Sequence, residues 1–390
     1  MIDPAVALAS ELVKIPSHPG IPRQERAVAT KLHEFLESRG VTSRLIDVVD
    51  GRPNLLATVD SRRPGPHLLW NGHTDTVPLN RDDEGVGFSG AVVGDALAGR
   101  GASDMKGALA AMAVALASLR EGAGLAAGKV TFAAVIDEEM ESLGCEALIA
   151  SGFSADGAVV GEPTGNRAAL GHKGLEWLEI AFTGKAAHGG TPEAGVNAID
   201  AAAQFIGLVA ARLVPALAQR AHPLLGPPTI NFGTIAGGDQ PSTVAASCTV
   251  RLDRRSVPGE TFASLSAELT ELLDEIERSR PGIATALSRM PGGMATLEHL
   301  SSVIAPGHPL ARAAGAACHA VTGAPPAPGA FPAWTDAGLL ANFASIPCVI
   351  LGPGDLSVAH SPRESVPVRE ITEAVAIYRE IASRFCSGTV

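Results

Sequence analysis

The sequence predicts an α/β protein interrupted by a smaller α+β insertion. Three observations carry that expectation. Apolar runs of strand length, such as Val130–Ile136 and Gly157–Val160, alternate with helical periodicities, the pattern of a sheet covered on both faces by helices. After Lys173-Gly174 the pattern becomes a strict alternation, with Leu178, Ile180 and Phe182 interleaved by Trp177, Glu179 and Ala181, as on a half-buried strand. A length of 390 residues also exceeds what a single hydrophobic core comfortably serves.

Taken in order, residues 22–39 form an amphipathic helix with Val28, Leu32, Phe35 and Leu36 on one face, stopped by Gly40. Residues 54–59 and 67–71 are short strands. Asp104 opens a helix from Met105 to Leu119, and strands follow at Val130–Ile136 and Gly157–Val160. The insertion then supplies the Leu178 strand, a helix from about Pro192 to Leu213 and a strand at Ile230–Ile235. An alternating strand with Val244, Ala246, Cys248, Val250 and Leu252 comes next, then a helix with Phe262, Leu265, Leu269, Leu272 and Ile276. Two strand–helix–strand units between 174 and 290 make one small domain, and Arg289–Met294 reads as the hinge back. Residues 1–173 and 291–390 form the main domain, completed by a strand at Ile346–Leu351 and a helix at Val368–Phe385 with Ile371, Val375, Tyr378 and Ile381 inward. No internal repeat is visible. The Ala/Pro/Gly-rich segment 323–332 reads as a loop near the site.

Composition excludes several function classes. The net charge is −11 with no basic stripe, which argues against nucleic acid as a partner. No apolar run reaches the ~18 residues of a membrane span, and Met1-Ile2-Asp3-Pro4 does not open a signal peptide. Five cysteines without a C-x-x-C pair suit reduced thiols and a cytoplasmic location. Any metal is then left to His, Asp and Glu.

Such residues cluster just past the apolar runs. His73-Thr74-Asp75 ends one, Asp104 lies between glycines and a helix start, Glu138-Glu139 ends a very apolar strand, Glu162 follows Val159-Val160-Gly161, and His360 lies near the C-terminus. Each has an ordinary reading alone: His-x-Asp is common, Asp104 suits an N-cap, and His360 suits a surface. Adjacent carboxylates at a buried strand end repel each other, and a cation would explain them. Ligands in open α/β sheets sit at the carboxyl ends of strands, where two histidines and several carboxylates are what a two-metal hydrolase needs.

Together, Gly72-His73-Thr74-Asp75, Gly101-Ala102-Ser103-Asp104-Met105-Lys106-Gly107, Asp137-Glu138-Glu139 and Gly161-Glu162-Pro163-Thr164 resemble, in order and spacing, the di-metal amidohydrolases that include acetylornithine deacetylase, succinyl-diaminopimelate desuccinylase, aminoacylase and the glutamate carboxypeptidases. The resemblance runs from about residue 10 to 385. It implies a zinc-peptidase-like catalytic domain with a mixed sheet flanked by helices, and an inserted lid and dimerisation domain.

It also implies roles. His73 and Glu162 would bind one metal, Glu139 and His360 the other, with Asp104 bridging and Asp75 orienting His73. Glu138 would be the general base for a metal-activated water. Two Zn²⁺ per subunit are implied, with Co²⁺ or Mn²⁺ as substitutes. His188, in Lys185-Ala186-Ala187-His188-Gly189-Gly190, resembles a histidine that reaches the active site of the partner subunit in a homodimer. Asn231 and Arg255 match substrate-binding positions, and Arg255 suits a forked contact with a carboxylate. Thr335 and Asp336 match a stretch lining the substrate pocket, although Trp334 and Gly338 depart from the commoner pattern. The Asp104–Met105 peptide is expected to be cis. The implied substrate is an N-acyl amino acid or dipeptide, with acetylornithine-deacetylase-like activity first. Desuccinylase, aminoacylase and carboxypeptidase activities share most of the motifs. A silent ligand-binding relative is the reading of a different class, and the intact Glu138 argues against it.

Overall fold

A computed structural model describes residues 3–80, 87–121, 124–290 and 296–388. The chain divides into two compact units, Met1–His172 with Ser302–Val390, and Lys173–Ser301. The second unit thus runs on to 301, past the return expected near 290. Most of the expected hinge, residues 291–294, lies outside the described residues.

The first unit is built on a mixed sheet. Its strands run in the order Ser43–Val49, Arg52–Asp60, Lys129–Val135, His67–His73, Gly157–Val160, Cys348–Ile350, Ala169–His172 and Ser302–Val303, with Gly329–Phe331 also beside Ala169–His172. At its centre His67–His73 pairs in parallel with both Lys129–Val135 and Gly157–Val160, and the latter pairs in parallel with Cys348–Ile350. All seven residues of His67–His73 are buried. Register aligns the strand ends. His73 stands opposite Val135 and Asn71 opposite Val160, so the segments beginning at Thr74, Ile136 and Gly161 leave the sheet at one edge.

Helix Gly107–Arg120 is buried over nearly all its length and packs against Pro4–Val13 and Val368–Cys386. Its burial explains why it is apolar all round. It starts two residues later than expected because Asp104 (φ −124°, ψ 92°) and Met105 (φ −133°, ψ 36°) are not helical, and the bond between them is cis. Helix Pro4–Val13, absent from the sequence reading, has clear start signals. Asp3 Oδ1 accepts the N–H of Ala5 at 2.8 Å, and Pro4 occupies the first turn.

The second unit is a four-stranded antiparallel sheet in the order Thr229–Gly237, Ser247–Ser256, Gly174–Thr183, Ala284–Arg289. Strand, helix, strand occurs twice along the chain, so the α/β class with an α+β insertion is the observed fold. Leu178, Ile180, Phe182, Val250 and Leu252 meet Phe205, Leu269 and Ile276 in one core. The first helix begins at Ala198 rather than Pro192, because Asn197 Oδ1 accepts the N–H of Ile199 at 2.9 Å and sets the cap there.

Among the described residues two helical runs, Ala102–Arg120 and Ala198–Ala218, are by length and composition apolar enough to cross a membrane, which corrects the expectation of none. Packing accounts for both. The first is enclosed in its unit, and the second buries Ala198, Ala201, Ala202, Phe205, Val209 and Leu213 on one side.

Candidate active site

The edge where the parallel strands end gathers the chemistry. His73 is the last residue of its strand, and Gly72 before it is needed for space. A Cβ at Gly72 would stand 2.3 Å from Met105 Cε. Met105 instead slides beneath the strand, and its sulfur accepts the His73 N–H at 3.2 Å.

His73 Nε2 lies 3.0 Å from Asp104 Oδ1 and 4.0 Å from Glu162 Oε1. His360 Nε2 lies 3.3 Å from Asp104 Oδ2 and 3.0 Å from Glu139 Oε1. Asp104 therefore offers one oxygen to each histidine. Donor atoms of His73, Asp104 and Glu139 all fall within 4.8 Å of one another. A set of imidazole nitrogens and carboxylate oxygens fits Zn²⁺, Co²⁺ or Mn²⁺.

Protonation preferences arise from this crowding. Burial would raise the Asp104 carboxyl, but hydrogen bonds with His360 and His73 prevail and hold it below the usual carboxylate range. The same contacts with Asp104 and Glu139 lift His360 to about 10. Burial pulls His73 down, yet Asp104 and Asp75 raise it on balance. Glu138 and Glu162 are pushed well above the ordinary value, first by burial and then by neighbouring carboxylates.

Three buried networks hold these groups. His73 Nδ1 faces the Asp75 carbonyl at 3.1 Å and the Asp75 carboxylate at 3.5 Å. That carboxylate also accepts the N–H groups of Glu138 at 3.2 Å and Glu139 at 3.0 Å. Asp137 sits at φ 71°. Arg52 Nη2 reaches its carboxylate at 2.5 Å while Arg52 forks onto Glu25 at 2.7 and 2.5 Å. Glu364 accepts from the backbone of Gly101, Ser103 and Asp104 and from Arg100. No role for Glu25, Arg52, Arg100 or Glu364 follows from the sequence motifs.

Thr335 and Asp336, which the motif match would put on the wall of the substrate pocket, are both enclosed. Thr335 is 0% and Asp336 1% exposed. Thr335 Oγ1 accepts the N–H of Ala337 at 3.1 Å to start helix Ala337–Phe343, and Asp336 accepts from Asn71 Nδ2 at 3.2 Å. Burial raises the Asp336 carboxyl to about 6.

The remaining expected residues belong to the second unit. His188 accepts the Gly190 N–H on its Nδ1 at 3.0 Å, and Asn231 is exposed on strand Thr229–Gly237. Arg255 already forks onto Asp253, at 2.7 and 2.9 Å, and Asp253 also accepts from Trp177 Nε1 at 3.0 Å. In the first unit, segment 323–332 contributes to a cavity of about 730 Å³ that it shares with Pro163 and Thr164, next to Glu162.

This fold is that of a known class of hydrolase. Residues 69–384 match Peptidase family M20/M25/M40, and the chain belongs to that family. It is therefore an amidohydrolase. It is 29% identical over 405 residues to the acetylornithine deacetylase of Photorhabdus laumondii subsp. laumondii, covering 99% of this chain and 98% of that protein. To the N-formyl-4-amino-5-aminomethyl-2-methylpyrimidine deformylase of Bacillus subtilis it is 27% identical over 408 residues, covering 98% and 94%. Among solved structures, aminopeptidase PepT from Bacillus cereus superimposes with a TM-score of 0.81 at 22% identity, over 98% of each chain. A family M20 metallo-carboxypeptidase from Sulfolobus solfataricus gives 0.79 at 20% identity, over 98% of this chain and 99% of the other.

Proposed function

We propose that this protein is a two-metal, acetylornithine-deacetylase-like enzyme that hydrolyses the amide bond of an N-acyl amino acid in the cytoplasm. The observation that carries the reading is Asp104, whose two oxygens face two different histidines. The acetylornithine deacetylase of Photorhabdus laumondii, similar from end to end, supports the substrate class.

In this reading His73 and Glu162 hold one cation, His360 and Glu139 hold the other, and Asp104 bridges. When bound, two divalent cations supply Lewis acidity and water that ionises near neutral pH. Asp75 keeps His73 in orientation. Glu138 takes a proton from the attacking water and passes it to the leaving amine. His188 of a partner subunit steadies the developing oxyanion in a homodimer formed through the second unit. Asn231 and Arg255 meet the substrate, and Arg255 must then exchange Asp253 for a substrate carboxylate.

The test is a panel of N-acetyl, N-succinyl and N-formyl amino acids beside di- and tripeptides, each with and without a chelator. Chelator-sensitive release of free amino acid from N-acetyl substrates is the expected result. Turnover of peptides alone would move the assignment to a peptidase, and no turnover at all would favour a silent ligand-binding relative.

A further inference from the structure

We propose that Glu364 is a positioning residue of this centre, setting the aim of the Asp104 carboxylate. The proposal rests on the reading of Asp104 as the bridging ligand.

Glu364 Oε1 accepts three backbone N–H groups, from Gly101 at 2.9 Å, Ser103 at 3.2 Å and Asp104 at 3.1 Å. Its other oxygen accepts from Arg100 Nη1 at 2.6 Å. The carboxyl side chain is 0% exposed. A neutral carbonyl oxygen has two lone pairs. Three donors on one oxygen favour an anion, and the Arg100 guanidinium keeps that buried charge paired.

The loop geometry adds purpose to the contact. His360 and Glu364 lie four residues apart, joined by the Glu364 N–H to the Ser361 carbonyl at 3.2 Å. From one side His360 meets the Asp104 carboxylate; from the other Glu364 holds the Asp104 backbone. The Gly99 N–H also donates to the Glu364 carbonyl at 3.0 Å, and Ser365–Pro367 pairs with Ala96–Ala98. A third grip comes from Ser103 Oγ, which donates to the Asp355 carbonyl at 3.2 Å. The backbone leading into the non-helical Asp104–Met105 step is thereby pinned on the residues whose movement would let the carboxylate rotate.

The experiment titrates Co²⁺ into the metal-free full-length protein and follows its visible spectrum, alongside thermal melting. Wild type is compared with Glu364→Gln, Glu364→Asp and Asp104→Ala. Both Glu364 variants should fold, melting below wild type because the buried Arg100 loses its well-placed anionic partner, and bind Co²⁺ about 10–100-fold more weakly, the range for residues that orient metal ligands. Their visible bands should shift, and kcat should fall with KM little changed. Wild-type Co²⁺ affinity and spectrum in a folded Glu364→Gln would overturn the proposal. So would failure of both variants to fold, which would make Glu364 a structural residue only. Asp104→Ala separates the two ideas: if it binds Co²⁺ as wild type does, the bridging reading fails, whatever Glu364 does.

Discussion

The carboxylate of Asp75 accepts the backbone N–H of Glu139 at 3.0 Å, so the end of one strand holds the turn after its neighbour. The same carboxylate accepts from Glu138 at 3.2 Å and lies 3.5 Å from His73 Nδ1. Asp75 thus serves the His73 motif and the Glu138-Glu139 motif together. An amide side chain cannot accept on both of its ends. Asp75→Asn should leave the fold intact and lower kcat/KM by about 10–100-fold or more, with weaker metal retention. Steady-state kinetics and metal analysis on the same preparation check this, and unchanged values for both would refute the coupling.

Glu138 is held by its backbone, whereas the side chains of Glu139, Asp104 and the two histidines contact one another. Glu138→Gln should therefore keep its metal content and lose turnover by roughly two or more orders of magnitude, the scale of a general base. Near-normal turnover would remove Glu138 from that role.

The proposed site is partly legible in the sequence because several of its members lie past apolar runs whose β-branched content marks strands, and parallel strands deliver their ends to one edge. His73, Glu138, Glu139 and Glu162 all obey that rule. Glu364 and Arg52 are not legible. Their value lies in contacts 260 and 85 residues away along the chain, to Asp104 and Asp137, and no local pattern encodes such pairings. The enclosure of Asp336 under Asn71, 265 residues away along the chain, is likewise not readable from its motif position. Helix starts are a simpler matter. Asp3-Pro4 and His308-Pro309 both carry an acceptor before a first-turn proline, a signal that apolar periodicity alone passes over.

Away from this edge, His67 makes a pH prediction. Burial, and then the charge of Lys129, lower its pKa from 6.5 to about 4. Its Nε2 pairs with Thr131 Oγ1 at 2.8 Å. A group lowered on folding leaves stability undisturbed above the unfolded value of 6.5. As pH falls from there to about 4, the unfolded chain takes up a proton that the folded one refuses. The cost is at most about 3 kcal/mol, and less once solvent screening is discounted. His67→Gln keeps a partner for Thr131 and removes the titration. Its unfolding free energy should fall less between about pH 7 and pH 4.5 than that of wild type. Denaturant melts across that range decide it, and parallel curves would refute it.

His188 provides the test of assembly. It lies in the second unit, on a segment tied to Thr243 by an isolated bridge, and Gly189 after it has its ideal Cβ position 2.9 Å from the Ser242 backbone. A bulkier residue at 189 would displace the loop, so its backbone path is fixed close to its neighbour. If His188 serves the site of a partner subunit, His188→Ala and Glu138→Gln damage different halves of a shared site. Each homodimer should be nearly inactive. Mixed under conditions that allow subunit exchange, the two should regain up to about a quarter of wild-type activity. Half of a random mixture is heterodimer, and one of the two sites in each heterodimer has both residues intact. Absence of recovery, with exchange confirmed by differently tagged chains, would place His188 and Glu138 in the same subunit's site. A protein that sediments as a monomer at assay concentration while fully active would remove the partner's role altogether.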